Sequence, residues 1–208
     1  RGLGDVYKRQ TPDWLSFFMF TYFTDRDGKM QLESLAQSGF DPLSRTCRFM
    51  LTEEAHHMFV GETGVGRTIQ ATVDAMTAAG ITDPYDTNRI RDLGVIDLPT
   101  IQKKLNLHYS LSLDLFGNEV STNAANAFNA GIKGRYMEHR LDDDHQLQRD
   151  TYDVKMVSED QIVTEQMPAL NAINMRLRDE YVKDASGGLT RWNKIMKRKN
   201  VDFEFRLP

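Results

Sequence analysis

Glu53-Glu54-Ala55-His56-His57 decides how the rest of this 208-residue chain is read. A carboxylate and an imidazole three residues apart stand one turn apart on the same face of an α-helix, so this stretch supplies half of a metal site. The other half is Asp142-Asp143-Asp144-His145, the only later place where an acid precedes a histidine by three residues.

Two such pairs, each on its own helix and each joined by one further carboxylate from a neighbouring helix, make the di-metal carboxylate site of a ferritin-like four-helix bundle. The doublets leave two registers open. At 100° per residue, Glu54 and His57 share a face with Cys47, Met50, Leu51, Met58, Gly61 and Val65, whereas Glu53 and His56 lie further round, towards Arg45 and Thr52. Metal ligands in a bundle project into its interior, which favours Glu54 and His57. Glu53 with His56 stands as the alternative.

Working outward, Asp13 after Pro12 can cap a helix through Trp14, Phe18, Thr21, Tyr22, Asp25 and Leu32. That projection sets Asp25 on the apolar face and Asp27 away from it. Gly39-Phe40-Asp41-Pro42 is a turn, with Ser44 capping a second, antiparallel helix that carries the motif to about Ala79. Asp25 precedes Glu54 by 29 residues, so across that turn the two stand level, each ~20 Å along its axis at 1.5 Å per residue.

A loop is expected to Pro99, a third helix over 100–116, a break at Gly117-Asn118 and a fourth helix from Ser121 to about Arg149. Asp114 precedes Asp142 by 28 residues and repeats the spacing of the first half. Glu138 shares the Asp142 face and can replace or supplement it. His108 and His139 read as ordinary hydrogen-bonded histidines. After Thr151 shorter elements are expected, with a helix from Pro168 to Lys183 closed by Gly187-Gly188. Val201 to Leu207 alternates like a strand, and Lys194, Lys197, Arg198 and Lys199 form a solvated basic face.

The expected fold is therefore all-α: a ferritin-like four-helix bundle with an extra C-terminal helix and an irregular tail. Residues 1–10, with two glycines, four charges and no apolar period, read as an artefactual segment foreign to the fold. Residues 11–150 then form the bundle, and 151–208 a truncated extension of the same domain.

A formal net charge of -4 and a pI near 5.8 offer no basic surface for nucleic acid. The single cysteine, Cys47, rules out an intramolecular disulfide and fits a cytoplasmic setting. The longest apolar run, Trp14 to Phe23, is half the ~20 residues that cross a bilayer, so no membrane is expected.

Burying Asp25, Glu54, Asp114 and Asp142 together is costly unless cations neutralise them, because like charges in a low dielectric do not all stay ionised. Two divalent ions would do so. Carboxylate and imidazole ligands suit iron or manganese better than structural zinc, and a redox task favours iron. Gly61-Glu62-Thr63-Gly64-Val65-Gly66-Arg67-Thr68 nearly matches a phosphate-binding loop, but no strand precedes it and arginine stands where lysine is needed. Small residues there instead let a neighbouring helix or a substrate approach the backbone.

Trp14 to Gly28 (WLSFFMFTYFTDRDG), Gly39 to Glu62 (GFDPLSRTCRFMLTEEAHHMFVGE), Asp114 to Glu119 (DLFGNE) and Asp142 to His145 (DDDH) resemble the oxygenase subunits of benzoyl-CoA 2,3-epoxidases. The resemblance covers most of residues 11–208. It implies a ferritin-like di-iron fold, two Fe ions, and O2 as co-substrate for epoxidation of the ring of benzoyl-CoA in aromatic degradation. It also implies a partner reductase that carries FAD and iron-sulfur groups and takes electrons from NADPH. The family's metal-site pattern falls on Asp25, Glu54, His57, Asp114, Asp142 and His145. The rival class is a non-catalytic ferritin-like protein that binds or stores iron, and a third is a metal-free helical interaction module.

Overall fold

The computed structural model describes residues 13–116, 151–158 and 160–208. Among these, five helices and one two-stranded sheet make the protein all-α in class and consistent with a ferritin-like helical bundle. The chain divides into two compact units. One holds the described residues up to Ser112 together with Asp184–Pro208, and the other lies within Leu113–Lys183.

In the first unit, helix α1 (Trp14–Leu35) starts where Asp13 accepts a 2.8 Å hydrogen bond from the Ser16 backbone N–H. This is the expected cap. Its buried stripe is Leu15, Met19, Tyr22, Phe23 and Met30, the 3.6-residue period of a packed face. Trp14, expected on that face, is 74% exposed. Asp27, expected to point away, is buried and accepts from Gln31 at 3.1 Å.

Helix α2 (Asp41–Ala78) begins at Phe40 with Pro42 in its first turn, where a missing N–H costs nothing. Ser44 does not cap it. It lies inside the helix and donates to the Ala36 carbonyl at 2.7 Å, tying the start of α2 to the end of α1. The helix ends as its sequence suggests. Gly80, at φ +66°, donates to Thr77 and Ile81 donates to Met76, the paired bonds of a glycine-terminated helix.

The glycine run lies wholly inside α2, so the phosphate-loop likeness has no structural counterpart. Its function is contact. A Cβ at Gly61 would lie 2.5 Å from the Tyr22 backbone N, and one at Gly64 would lie 2.3 Å from the Phe18 ring. The missing side chains therefore allow α1 to cross α2 almost backbone to backbone.

The stretch expected as loop contains a short helix, α3 (Thr87–Asp92), capped by Asp86. Helix α4 (Leu98–Asp114) begins behind Asp97, which is buried, accepts from the Thr100 N–H at 2.9 Å and pairs with Arg91 at 2.6 Å. Phe23 meets Tyr109 of α4 edge to face. His108 is half-buried without a hydrogen-bond partner among the described residues, contrary to expectation, and burial keeps its imidazole below the usual histidine range.

The second unit contains an antiparallel hairpin, β1 (Thr151–Ser158) and β2 (Gln161–Pro168), paired from Thr151 opposite Pro168 to Ser158 opposite Gln161. Helix α5 (Ala169–Arg198) follows and continues into the first unit. The expected stop at Gly187-Gly188 does not occur. Tyr22 explains why: its hydroxyl donates to the Ala185 carbonyl at 2.8 Å and accepts from the Gly188 N–H at 3.1 Å, and a Cβ at Gly188 would lie 2.1 Å from that oxygen. Gly188 thus makes room for a side chain wedged into the helix rather than ending it. Trp192 packs on Tyr22 with ring centroids 4.9 Å apart and donates to the Glu62 carbonyl.

The tail beyond Asn200 forms no strand. Two side-chain amides substitute for a neighbouring strand. Asn193 exchanges bonds of 2.9 and 2.8 Å with the backbone of Phe205, and Gln102 exchanges bonds of 2.7 and 3.1 Å with that of Arg206. Of the basic cluster, Lys199 pairs with Asp74 at 2.8 Å and Lys194, Lys197 and Arg198 are exposed. Among the described residues no helix is long and apolar enough to cross a membrane.

Candidate metal centre

The α1 and α2 helices bring Asp25, Glu54 and His57 together. One ligand atom from each lies within 4.8 Å of the others, and these three form the one such cluster among the described residues. Register decides which of the doublets takes part: Glu54 is half-buried and Glu53 exposed, and of the two histidines, both exposed, it is His57 whose ring lies beside Glu54 and Asp25. The level placement of Asp25 and Glu54 follows from the turn at residues 36–40, which sets α2 alongside α1.

The His57 Nδ1 is 3.6 Å from Glu54 Oε2 and 3.8 Å from Asp25 Oδ2. These distances are too long for hydrogen bonds. Glu54 Oε2 is buried and has no hydrogen-bond partner, an arrangement that proteins rarely leave uncompensated. Gly28 faces the same carboxylate, a Cβ at that position lying 3.7 Å from Glu54 Oε1, an ordinary contact. Burial first, and the neighbouring Glu54 carboxylate second, push the Asp25 carboxyl up to about 6, with His57 opposing. Two crowded carboxylates and an imidazole, one acceptor oxygen orphaned, are the donor set a hard or borderline divalent cation satisfies. The residues fit a metal.

Asp114 is the last residue of α4, buried, and belongs to the second compact unit. Asp142 and His145, with Glu138 and His139, lie outside the described residues. The oxidisable neighbours are distributed unequally: Cys47 is buried in a small cluster with Leu32 and Ala36, Met58 is half-buried, and Met50 is 44% exposed.

One supporting group had no signal in the spacing. Arg26 is buried beside Asp25 in sequence, donates to the Tyr22 carbonyl at 3.0 Å, pairs with Asp184 at 3.1 Å and sits 4.0 Å over the Tyr22 ring. Its partner comes from 158 residues away, so local periodicity carries no trace of it. The pair locks α1 to α5 at the level of the centre.

The raised Asp25 carboxyl sets a pH dependence. Between the unfolded value of 3.8 and about 6, the folded metal-free protein holds a proton that the unfolded chain releases. Stability from this group is then greatest below about pH 4, is lost as pH rises towards 6, and is flat above. Thermal melts of metal-free protein are expected to show Tm falling across that window, with Asp25→Asn removing much of the slope. An equal slope in the variant would assign the dependence to other groups.

This geometry defines a class: an all-α, ferritin-like bundle with a carboxylate and histidine cluster suited to metal. No family model matches the chain. The chain is 55% identical, over 203 residues and 98% of its length, to benzoyl-CoA oxygenase component B of Aromatoleum evansii. That likeness runs through nearly the whole chain and so takes in the stretches that carried the resemblance in the sequence. The chain spans 42% of that relative's length.

Proposed function

We propose that this chain is part of a di-iron oxygenase component that epoxidises the aromatic ring of benzoyl-CoA. The observation that carries this reading is the convergence of Asp25, Glu54 and His57 in a chain so similar to a protein named as an oxygenase component. Asp25, Glu54 and His57 would hold one side of an iron pair, with Asp114, Asp142 and His145 supplying the other.

The reduced iron pair, when bound, supplies the electrons and Lewis acidity that dioxygen activation requires. The balance of the reaction is one oxygen atom added across C2 and C3 of the ring, with the other released as water. Two electrons and two protons are consumed. The relative's designation as component B supports a separate partner component, and a reductase that draws on NADPH is the proposed source of those electrons. The protein's own residues have simpler tasks. Asp25 and Glu54 neutralise cationic charge, His57 adds a neutral donor, and the Arg26–Asp184 pair keeps α1 from sliding along α5.

The test is oxygen uptake by the iron-loaded protein with a reductase and NADPH. Uptake that rises with benzoyl-CoA and yields an epoxide supports the reading. Iron oxidation that is indifferent to benzoyl-CoA would replace it with iron storage.

A further inference from the structure

A cleft of about 890 Å³ opens where the C-terminal tail meets α4 and the end of α5, its lining residues all within the first compact unit. One side is a run of aromatic rings leading outward from the core. Phe205 is buried, Phe203 half-buried and Tyr85 64% exposed, with successive ring centroids 5.1 and 5.7 Å apart. The tail that carries two of these rings is pinned by the Asn193 and Gln102 amides. Lys103 of α4 and Lys197 of α5 line the same cleft.

Cations outnumber acids here, although the whole chain carries a net charge of -4. Of the charged lining groups, Arg206 and Glu204 pair at 2.8 Å, which leaves Lys103 and Lys197 against Asp202. Lys194 stands one turn before Lys197 on α5, and Arg198 follows it. All four cations are exposed and form no ion pair among the described residues. Lys197 and Arg198 also offset the partial negative charge at the end of α5. Lys103, inside α4, has no such role.

We propose that this cleft is the docking site for an acidic segment, bearing an aromatic residue, of the reductase partner; this rests on the function proposed above. The segment's carboxylates meet the lysines and its ring packs on Tyr85. Exposed lysines on two helices, spread over more than one turn, suit a chain that presents several carboxylates better than a compact phosphate, which needs its donors to converge. The cleft is remote from the metal cluster. The Lys199–Asp74 pair ties the end of α5 to α2 at a position 17 residues beyond His57, ~25 Å along that helix. The occupant therefore anchors the partner and raises its local concentration without touching the centre.

Calorimetric titration of the iron-loaded chain with the reductase tests this, together with oxygen uptake measured against reductase concentration. Lys103→Gln combined with Lys197→Gln is expected to weaken binding about tenfold and to raise the reductase concentration at half-maximal uptake equally, with the maximal rate, iron content and Tm unchanged. Arg48→Gln combined with Arg67→Gln removes the same charge from α2 and is expected to change neither. Tyr85→Ala is expected to weaken binding without altering its salt dependence. Unchanged reductase affinity in the lysine variant, or equal weakening in the arginine variant, overturns the docking site, as does wild-type binding to phosphatidylserine vesicles in place of the reductase. A wild type that binds the reductase through these lysines yet forms no epoxide overturns the proposed function and leaves the docking site standing.

Discussion

Replacing Glu54 or His57 with alanine is expected to cut the iron that survives desalting by at least tenfold, whereas Glu53→Ala and His56→Ala leave it unchanged. Loss of a neighbouring support for a ligand already costs about 10–100-fold in affinity, and loss of the ligand itself costs no less. The contrast rests on register. Asp25, Glu54 and His57 offer atoms within 4.8 Å of one another, while Glu53 and His56 belong to no such cluster among the described residues. Metal analysis of the four variants gives the answer directly, and iron lost equally from both registers would dissolve the assignment. Glu54→Ala also removes the orphaned buried oxygen, so the metal-free form of that variant is expected to be no less stable than its parent. Loss of metal without loss of fold is the signature of a ligand.

Gly61→Ala is expected to destabilise the protein by about 2 kcal/mol, although alanine is the better helix former by about 1 kcal/mol. The added methyl would meet the Tyr22 backbone N at 2.5 Å and the Phe18 carbonyl oxygen at 2.9 Å, atoms that move only if α1 and α2 separate. Gly187 in α5 is the control. A Cβ there meets only the flexible Arg191 guanidinium at 3.5 Å, so Gly187→Ala is expected to raise stability by up to about 1 kcal/mol. Opposite signs in thermal melts are the predicted outcome. A stabilising Gly61→Ala would mean that the helices do not approach as closely as described.

Local patterns in the chain were sufficient for several elements. Asp13 caps α1 because a short carboxylate before an apolar period has a backbone N–H to satisfy. Gly80 ends α2 because only a residue without Cβ takes φ +66° cheaply. The same reasoning failed at Gly187-Gly188, where the pair reads as a stop and Gly188 is instead a recess for the Tyr22 hydroxyl. The buried face of α1 was also displaced, from Trp14 to Leu15, within a first turn whose other side stays exposed. The tail showed a strand's alternation without a strand's partner, and the Asn193 and Gln102 amides took that role.

Helix periodicity and the acid-to-histidine spacing were enough to specify a helical protein with a candidate metal cluster, because both are properties of consecutive residues on one rod. The choice of Glu54 and His57 over their neighbours, the recruitment of Asp25, and the bracing of α1 by Arg26 and Asp184 depended on how two rods lie against each other. That arrangement is set by glycines whose meaning comes from what touches them: the same residue type ends one helix, lets another cross at close range, and admits a side chain to a third.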